Sequence, residues 1–165
     1  MKILRKNELF QKYFGIKLSG YTNIASAFLV KSIFELCQGG RLAYIMPSEF
    51  LNCGYGEQVK RRLLRDGHLD SLIEVECERE AFDEVTTSLC IILFDAAKNG
   101  GNVAFRKVAS LTELSDVMER PPICTLPMER LNPSGKWGNF FISVQERTHI
   151  NAALLQKLSD YGRFS

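Results

Sequence analysis

The chain is predicted to adopt an α/β fold, and three observations support this prediction. A nearly continuous apolar helical pattern covers residues 23–37, and the glycine pair Gly39-Gly40 closes it. The apolar run 42–46 follows without polar alternation, and Pro47 ends it. Such a run is typical of a strand that is covered on both faces, as in a parallel sheet. A second helical pattern and two further strand-like segments come next, which favours alternating helices and strands.

Composition is ordinary for a globular domain with a core. The chain has 165 residues, 45% hydrophobic and 24% charged, and its formal charge of +2 is too small to indicate nucleic-acid binding. Its five cysteines form no C-x-x-C pair and its two histidines lie far apart, so we expect reduced thiols, a cytoplasmic protein and no metal site. The N-terminus turns polar too early for a signal peptide, and no apolar run reaches membrane-spanning length, so no membrane partner is expected.

The first half of the chain is predicted to contain three helices. Residues 3–14 are compatible with a short helix. In the helix at 23–37 the polar residues Lys31, Glu35 and Gln38 form a single stripe, so most of this helix should be covered. A helix at 57–66 should turn its apolar side chains inward and a basic face outward, the latter made of Lys60, Arg61, Arg62 and Arg65.

Two strands are predicted after these helices. Residues 69–76 and 86–95 have strand-like patterns, and the loop between them is too short for a helical crossover, so the strands should be antiparallel. The turn-rich stretch 98–101 predicts the end of this sheet unit, which divides the chain into regions 1–98 and 99–165.

The second region is predicted to be a small α+β unit. A short strand covers 103–108, and the pair Ser110 and Glu113 has capping-box spacing for a helix that ends near residue 119. Residues 121–141 should be irregular, and a last helix should cover 144–158.

The turn with Gly54 and Gly56 is one candidate site. It opens a helix after a strand, and Glu74 lies twenty residues further on, as in a glycine loop that binds a nucleotide or S-adenosylmethionine (AdoMet). However, the strand already ends at Pro47, and Val59 occupies the position of the third glycine. An ordinary turn is therefore the preferred interpretation, with a cofactor loop as the alternative.

Two other features also allow two interpretations. The basic helix face is either a solvated surface or a contact for phosphate groups. Phe82 is a large aromatic residue in a charged loop between two strands. It either packs under its own hairpin or provides a stacking platform for a flat ligand such as a base.

Several segments, in this order and spacing, resemble the N6-adenine DNA methyltransferases of bacterial restriction–modification systems in their gamma arrangement. The resemblance covers about residues 20–95, and a weaker similarity to the connector before a DNA target-recognition domain includes Lys136-Trp137. The matching residues in the main region are Asn23, Ala27-Phe28-Leu29, Gly39 to Ser48, Phe50-Leu51, Tyr55-Gly56, Leu63-Leu64, Glu80-Ala81-Phe82, Val85 and Thr87-Ser88.

The resemblance implies the C-terminal strands of a partial Rossmann-like, AdoMet-dependent methyltransferase sheet, followed by the connector. The strand at 42–46 would be the fifth of that sheet, with the antiparallel pair at its edge. Phe28 would border the adenine pocket of AdoMet, and Phe82 would stack on the flipped target adenine. DNA would be the partner, contacted through residues Lys60, Arg61, Arg62, Lys136 and Trp137.

The chain departs from this family by lacking its Asn/Asp-Pro-Pro-Tyr motif and a convincing AdoMet glycine loop. We therefore expect an internal segment of a methyltransferase, inactive alone, that associates with a missing N-terminal portion or with itself. A non-enzymatic remnant that binds DNA or protein is the alternative. A small nucleotide binder that uses Gly54 and Gly56 is a more distant one. An upstream reading frame encoding the missing motifs would favour the methyltransferase.

Overall fold

The computed structural model describes residues 24–65, 68–76 and 88–143, together with residues 8, 10–13 and 15. Two α-helices and five strands form its framework. They are α1 (Ile24–Glu35), β1 (Arg41–Pro47), α2 (Gly56–Arg65), β2 (Leu69–Val75), β3 (Leu89–Asp95), β4 (Asn102–Val108) and β5 (Cys124–Pro127).

The five strands form one mixed sheet with the order β1-β3-β2-β4-β5. Strand β3 lies between β1 and β2 and is antiparallel to both, while β2 and β4 are parallel and β4 and β5 antiparallel. The predicted antiparallel pairing of β2 with β3 is confirmed. This pair does not lie at an edge of the described sheet, because β1 and β5 occupy the two edges.

Strand β1 is not covered on both faces, and this prediction was wrong. Met46 is buried and Leu42 and Tyr44 are half-buried on the face that packs against α1, but Ala43 and Ile45 are exposed. The reason is the edge position: among the described residues β1 has one strand neighbour, β3, and a helix on one face. The unbroken apolar run therefore predicts that this segment is a strand, but it does not predict how many of the strand's faces are buried.

Helix α1 packs on the sheet through the apolar positions that its sequence predicts. Ala27, Leu29, Val30 and Ile33 are buried, and the hydroxyl of Tyr44 donates a hydrogen bond to the carbonyl of Ala25 at 2.9 Å. The glycine pair ends the helical region as expected, since Gly39 has a φ of +74°. The helix is less covered than predicted, however, because three large apolar side chains on it remain exposed: Ile24, Phe28 and Phe34.

The main core lies on the sheet face that α1 and α2 cover. Phe50, Leu63, Leu72 and Phe105 are among its fully buried members. A smaller cluster of buried side chains lies outside this core, formed by Ile73, Val75, Val108 and Val117. The large core therefore holds both helices against one side of the sheet.

The sheet does not end at the turn 98–101, contrary to the prediction. Gly100 and Gly101 adopt positive φ angles of 73° and 90°, as the turn requires, and the chain then re-enters the same sheet as β4. β5 was missed in the region predicted to be irregular. Its four residues carry too short a pattern to be identified without their partner β4.

The helix predicted from Ser110 is also absent. Residues Leu111–Ser115 form one 3-10 turn, and the Ser110 side chain makes no cap hydrogen bond. Arg106 donates hydrogen bonds to the carbonyls of Val117 and Arg120, which fixes a non-helical backbone there. A helix this short before Pro121 has little intrinsic stability to resist these contacts.

Two predicted features lie outside the described residues: the helix at 144–158 and the loop 77–85, which contains Phe82. Residues 8 and 10–13 of the predicted N-terminal helix are helical. Within the described ranges, no helix has the length and apolarity needed to cross a membrane.

Candidate functional site

The glycine turn before α2 serves helix packing. A Cβ atom on Gly56 would lie 1.7 Å from the carbonyl oxygen of Phe50, so only glycine allows this close approach of two backbone segments. Gly54 has no such neighbour within 4 Å. The space beside Gly56 is therefore filled by the protein's own backbone, which fits an ordinary turn.

The predicted cofactor residue Phe28 projects from α1 with 56% of its surface exposed. Phe28 is thus an exposed aromatic side chain, and its contact with AdoMet stays a prediction. Phe82 lies outside the described residues, so its role stays a prediction.

Arginines from the outer face of α2 line an open cleft of about 750 Å³. Arg61, Arg62 and Arg65 form one side, and Pro133 contributes to the lining from the segment after β5. The Arg61 guanidinium binds the carboxylate of Glu57 through two hydrogen bonds of 2.6 and 3.0 Å. The hydrogen bond from Arg61 is the main cause of a lowered pKa of Glu57, so this carboxylate stays ionised.

Lys60 does not belong to the outward basic face, and that prediction was wrong. It is only 2% exposed, and its ammonium group donates hydrogen bonds to the carbonyls of Leu51 at 3.1 Å and Gly135 at 2.6 Å. The same nitrogen lies 5.7 Å from the ring centroid of Trp137, within cation–π range. Burial lowers the pKa of Lys60. Its position in the helix places it on the boundary between the apolar and basic faces, and tertiary packing draws it inward.

Trp137 is likewise buried, with no exposed surface, so it cannot contact DNA in this structure. Its indole nitrogen donates a hydrogen bond to the carbonyl of Asn132 at 2.8 Å. Lys136, next to it, is exposed as a DNA contact would require. In this pair, Trp137 therefore anchors the turn, and Lys136 remains a candidate for DNA binding.

The turn at residues 132–135 is fixed beside α2 by several polar contacts. The backbone N–H of Ser134 donates to the Asn132 side chain at 3.0 Å, and that of Gly138 donates to the side chain of Asn52 at 3.1 Å. Together with Lys60, these bonds connect the segment after β5 to the region around α2. We call this set of contacts the Lys60–Trp137 interlock. It was not predicted, since its residues are far apart in the sequence.

A second cluster of polar side chains lies near the C-terminal ends of β2 and β4. Lys107 forms a 2.6 Å ion pair with Glu76, and Glu74 precedes this pair on β2 opposite Cys90 of β3. Burial raises the pKa of Glu74, and the nearby Lys107 partly opposes this rise. Burial also raises the pKa of the Cys90 thiol, which therefore stays protonated. These residues lie close in sequence to residues 77–87, and strand periodicity alone did not predict this polar cluster.

The comparisons with known sequences agree with one another. The profile of the family described as Eco57I restriction-modification methylase matches residues 1–82. The Type II methyltransferase M.AccI of Acinetobacter calcoaceticus is 36% identical over 155 residues, and the match covers 89% of this chain and 28% of that protein. The Type II methyltransferase M.HincII of Haemophilus influenzae is 26% identical over 156 residues, covering 93% and 28% of the two chains. This chain thus spans little more than a quarter of the length of these relatives.

Solved structures show the same fold. The methyltransferase subunit of a type I restriction-modification system from Streptococcus thermophilus superposes with a TM-score of 0.52 at 22% identity, over 62% of this chain and 22% of that one. The type IIG restriction endonuclease BpuSI gives 0.52 at 15% identity, over 64% and 13%. The five-stranded sheet therefore has the fold of a segment of these larger proteins.

Proposed function

We propose a function on the premise that this chain belongs to the restriction-modification methylase family, which the match over residues 1–82 and the related methyltransferases establish. We infer that it is part of the catalytic unit of an adenine-specific DNA methyltransferase. Such an enzyme transfers a methyl group from AdoMet to N6 of adenine in duplex DNA. The observation that carries this proposal is the 36% identity to M.AccI, which extends over 89% of the chain.

Two aromatic residues have proposed roles in the reaction. Phe28, exposed on α1, would form one wall of the pocket for the adenine ring of AdoMet, the group that supplies the methyl. The remaining contacts to AdoMet would come from parts of the protein outside the described residues. Phe82 would stack on the target adenine once it is extruded from the duplex, replacing part of the stacking that the base loses.

The partner proposed for strand β1 is the rest of the methyltransferase sheet. Its backbone edge is free within the described structure, and Ala43 and Ile45 expose apolar surface beside it. Their cross-strand partners Leu93 and Ile91 are half-buried, so the exposed apolar surface continues onto β3. A free edge with an apolar face favours association with further protein, and the whole enzyme would act in the cytoplasm.

A chimaera tests this proposal. The segment of M.AccI that aligns with this chain would be replaced by the chain itself, and N6-methyladenine in duplex DNA would be measured by mass spectrometry. We expect methylation by the chimaera, and neither methylation nor calorimetric AdoMet binding by the isolated chain. A folded chimaera that binds AdoMet but forms no N6-methyladenine would contradict the enzymatic role and favour a non-enzymatic binding remnant.

The chimaera also tests the role of Phe82. Phe82→Ala should lower methylation by about 10- to 100-fold, because an aromatic platform contributes roughly 1–3 kcal/mol of stacking. Phe82→Trp should keep most of the activity, and Phe34→Ala provides a control at an exposed aromatic residue of α1. A large fall in melting temperature with unchanged activity per folded molecule would show instead that Phe82 supports the hairpin.

A further inference from the structure

We propose that Tyr44 is a positioning residue for the adenine pocket of AdoMet, because its hydroxyl group fixes the first turn of α1, the helix that carries Phe28. This inference rests on the proposed function, in which Phe28 forms one wall of that pocket. Tyr44 lies on β1, and its hydroxyl donates a hydrogen bond of 2.9 Å to the carbonyl of Ala25. Ala25 is the second residue of α1. The bond therefore connects the sheet to this helix three residues before Phe28.

The bond acts on the part of α1 that presents Phe28. Positions three residues apart in an α-helix are neighbours on its surface, separated by about 60° around the axis and about 4.5 Å along it. Ala25 packs against the main core, whereas Phe28 is 56% exposed. Phe28 thus lies beside the anchored position, between the covered and the exposed sides of the helix. A rotation or shift of the first turn would move the ring of Phe28 with it.

Apolar packing constrains α1 in a different way from this hydrogen bond. Leu29 and Ile33 attach the helix to the main core, but apolar contacts depend on the buried area and have no preferred direction. A hydrogen bond weakens steeply when its angle changes. Ile24, the first residue of the helix, is 68% exposed and therefore contributes little to holding this end in place. The Tyr44 bond consequently constrains the rotation of the first turn, which the apolar contacts do not.

The surroundings of the Tyr44 hydroxyl suit this role. Tyr44 is half-buried against the main core, and a hydroxyl withdrawn from water without a partner costs free energy, so the bond to Ala25 is retained. Burial also raises the pKa of Tyr44, so the phenol stays protonated and can donate at neutral pH. The Ala25 carbonyl has two lone pairs, so it can accept this bond as well as its bond within the helix. The contact therefore adds to α1 without disrupting it.

Calorimetric binding of AdoMet and of adenosine to the chimaera with M.AccI tests the proposal. Tyr44→Phe keeps the packed ring and removes only the hydrogen bond. We expect it to raise the Kd of both ligands by the same factor, about 2- to 10-fold, because both contain the adenine ring and one hydrogen bond is lost. The KM for DNA should not change. Tyr55→Phe is the matched control, since its hydroxyl bonds to Glu49 and not to α1, and it should leave both Kd values unchanged.

A double-mutant cycle separates positioning from general support of α1. The Kd of AdoMet is measured for Tyr44→Phe, Phe28→Ala and the double variant. If Tyr44 acts through Phe28, removal of its hydroxyl should have no further effect once the Phe28 ring is absent. If Tyr44 only stabilises the helix, the two substitutions should have additive effects on AdoMet binding. Melting temperatures verify that each chimaera is folded.

Four results would overturn the proposal. They are an unchanged AdoMet affinity of the folded Tyr44→Phe chimaera, additive effects in the cycle, an equal loss of affinity in Tyr55→Phe, and a Tyr44→Phe chimaera that fails to fold. The last result would show that the hydroxyl supports the whole fold and not the pocket. If the chimaera methylates DNA while Tyr44→Phe leaves AdoMet binding unchanged, the positioning role fails and the proposed enzymatic function stands. A folded chimaera that does not bind AdoMet would overturn both.

Discussion

The two ends of the sheet differ in how completely this chain covers them. At the end formed by β4, β5 and residues 128–141, Phe105 lies in an aromatic cluster with Trp137 and Phe141, at ring distances of 6.5 and 5.5 Å. All three side chains are buried. At the end formed by α1 and β1, by contrast, Phe28 and Ile45 are 56% and 61% exposed. We refer to these regions as the closed end and the open end.

The edge strands show the same contrast. β5 has only four residues and ends in Pro127, which lacks a backbone donor, so it offers little to another strand. β1 has seven residues, most of them apolar, and its edge is free in the described sheet. The difference indicates that the described residues bury the apolar side chains at the closed end, whereas the open end is suited to contact with further protein. Four substitutions test this comparison.

The largest effect is expected for Trp137→Ala at the closed end. The loss of a fully buried indole, its hydrogen bond to Asn132 and its contact with Lys60 should lower the free energy of unfolding by about 3–5 kcal/mol. Phe28→Ala at the open end should change it by about 0.5 kcal/mol or less. Urea unfolding of the isolated chain measures both, and similar losses would remove the distinction between the two ends.

The second effect concerns the backbone contact that places α2. Gly56→Ala should destabilise the chain by about 1–3 kcal/mol or more, because the added Cβ would overlap the carbonyl of Phe50 and the backbone must move. Gly54→Ala is the matched control two residues earlier, where nothing lies within 4 Å. Thermal unfolding should separate the two variants clearly. Equal melting temperatures would mean that this contact is looser than the structure shows.

The third substitution, Ile45→Lys, tests the open end itself. Since Ile45 is exposed, the stability of the monomer should change by no more than about 0.5 kcal/mol. We expect the wild-type chain to self-associate at tens of micromolar and the variant to sediment as a monomer. Thr125→Lys on β5 is the control and should leave association unchanged. A wild-type chain that sediments as a stable monomer would show that the open end is stable without contact to another protein chain.

The smallest effect is expected for Glu74→Gln, on a strand between the two ends. Burial raises the pKa of Glu74 above its ordinary value near 4.5, so the folded chain holds this proton more tightly than the unfolded chain. Stability from this group is therefore present below pH 4.5 and lost as the pH rises through the raised pKa. The variant should lose this dependence and be slightly more stable than wild type at pH 7. Melting temperatures between pH 4 and 8 would reveal it, and a less stable variant at pH 7 would indicate that ionised Glu74 is needed.

Much of the framework could be predicted because its signals are local. Helical periodicity and the flanking glycines define α1 and α2. A short loop requires β2 and β3 to be antiparallel. The ordered set of motifs also led to the methyltransferases of restriction-modification systems, while adenine specificity stays a prediction. Helix spacing predicted the outward position of the arginines of α2, which line an open cleft, and their contact with DNA stays a prediction.

What local patterns could not provide was the environment of each element. The sequence by itself determined the positions of α1, α2 and the strands β1 to β4, since propensity, periodicity and turn residues act over a few positions. Only the tertiary structure decided that β3 inserts between β1 and β2, that β4 extends the sheet, and that Lys60 turns inward to Gly135. These outcomes depend on contacts between residues as much as 75 positions apart, whose free energy exists only once the sheet has formed.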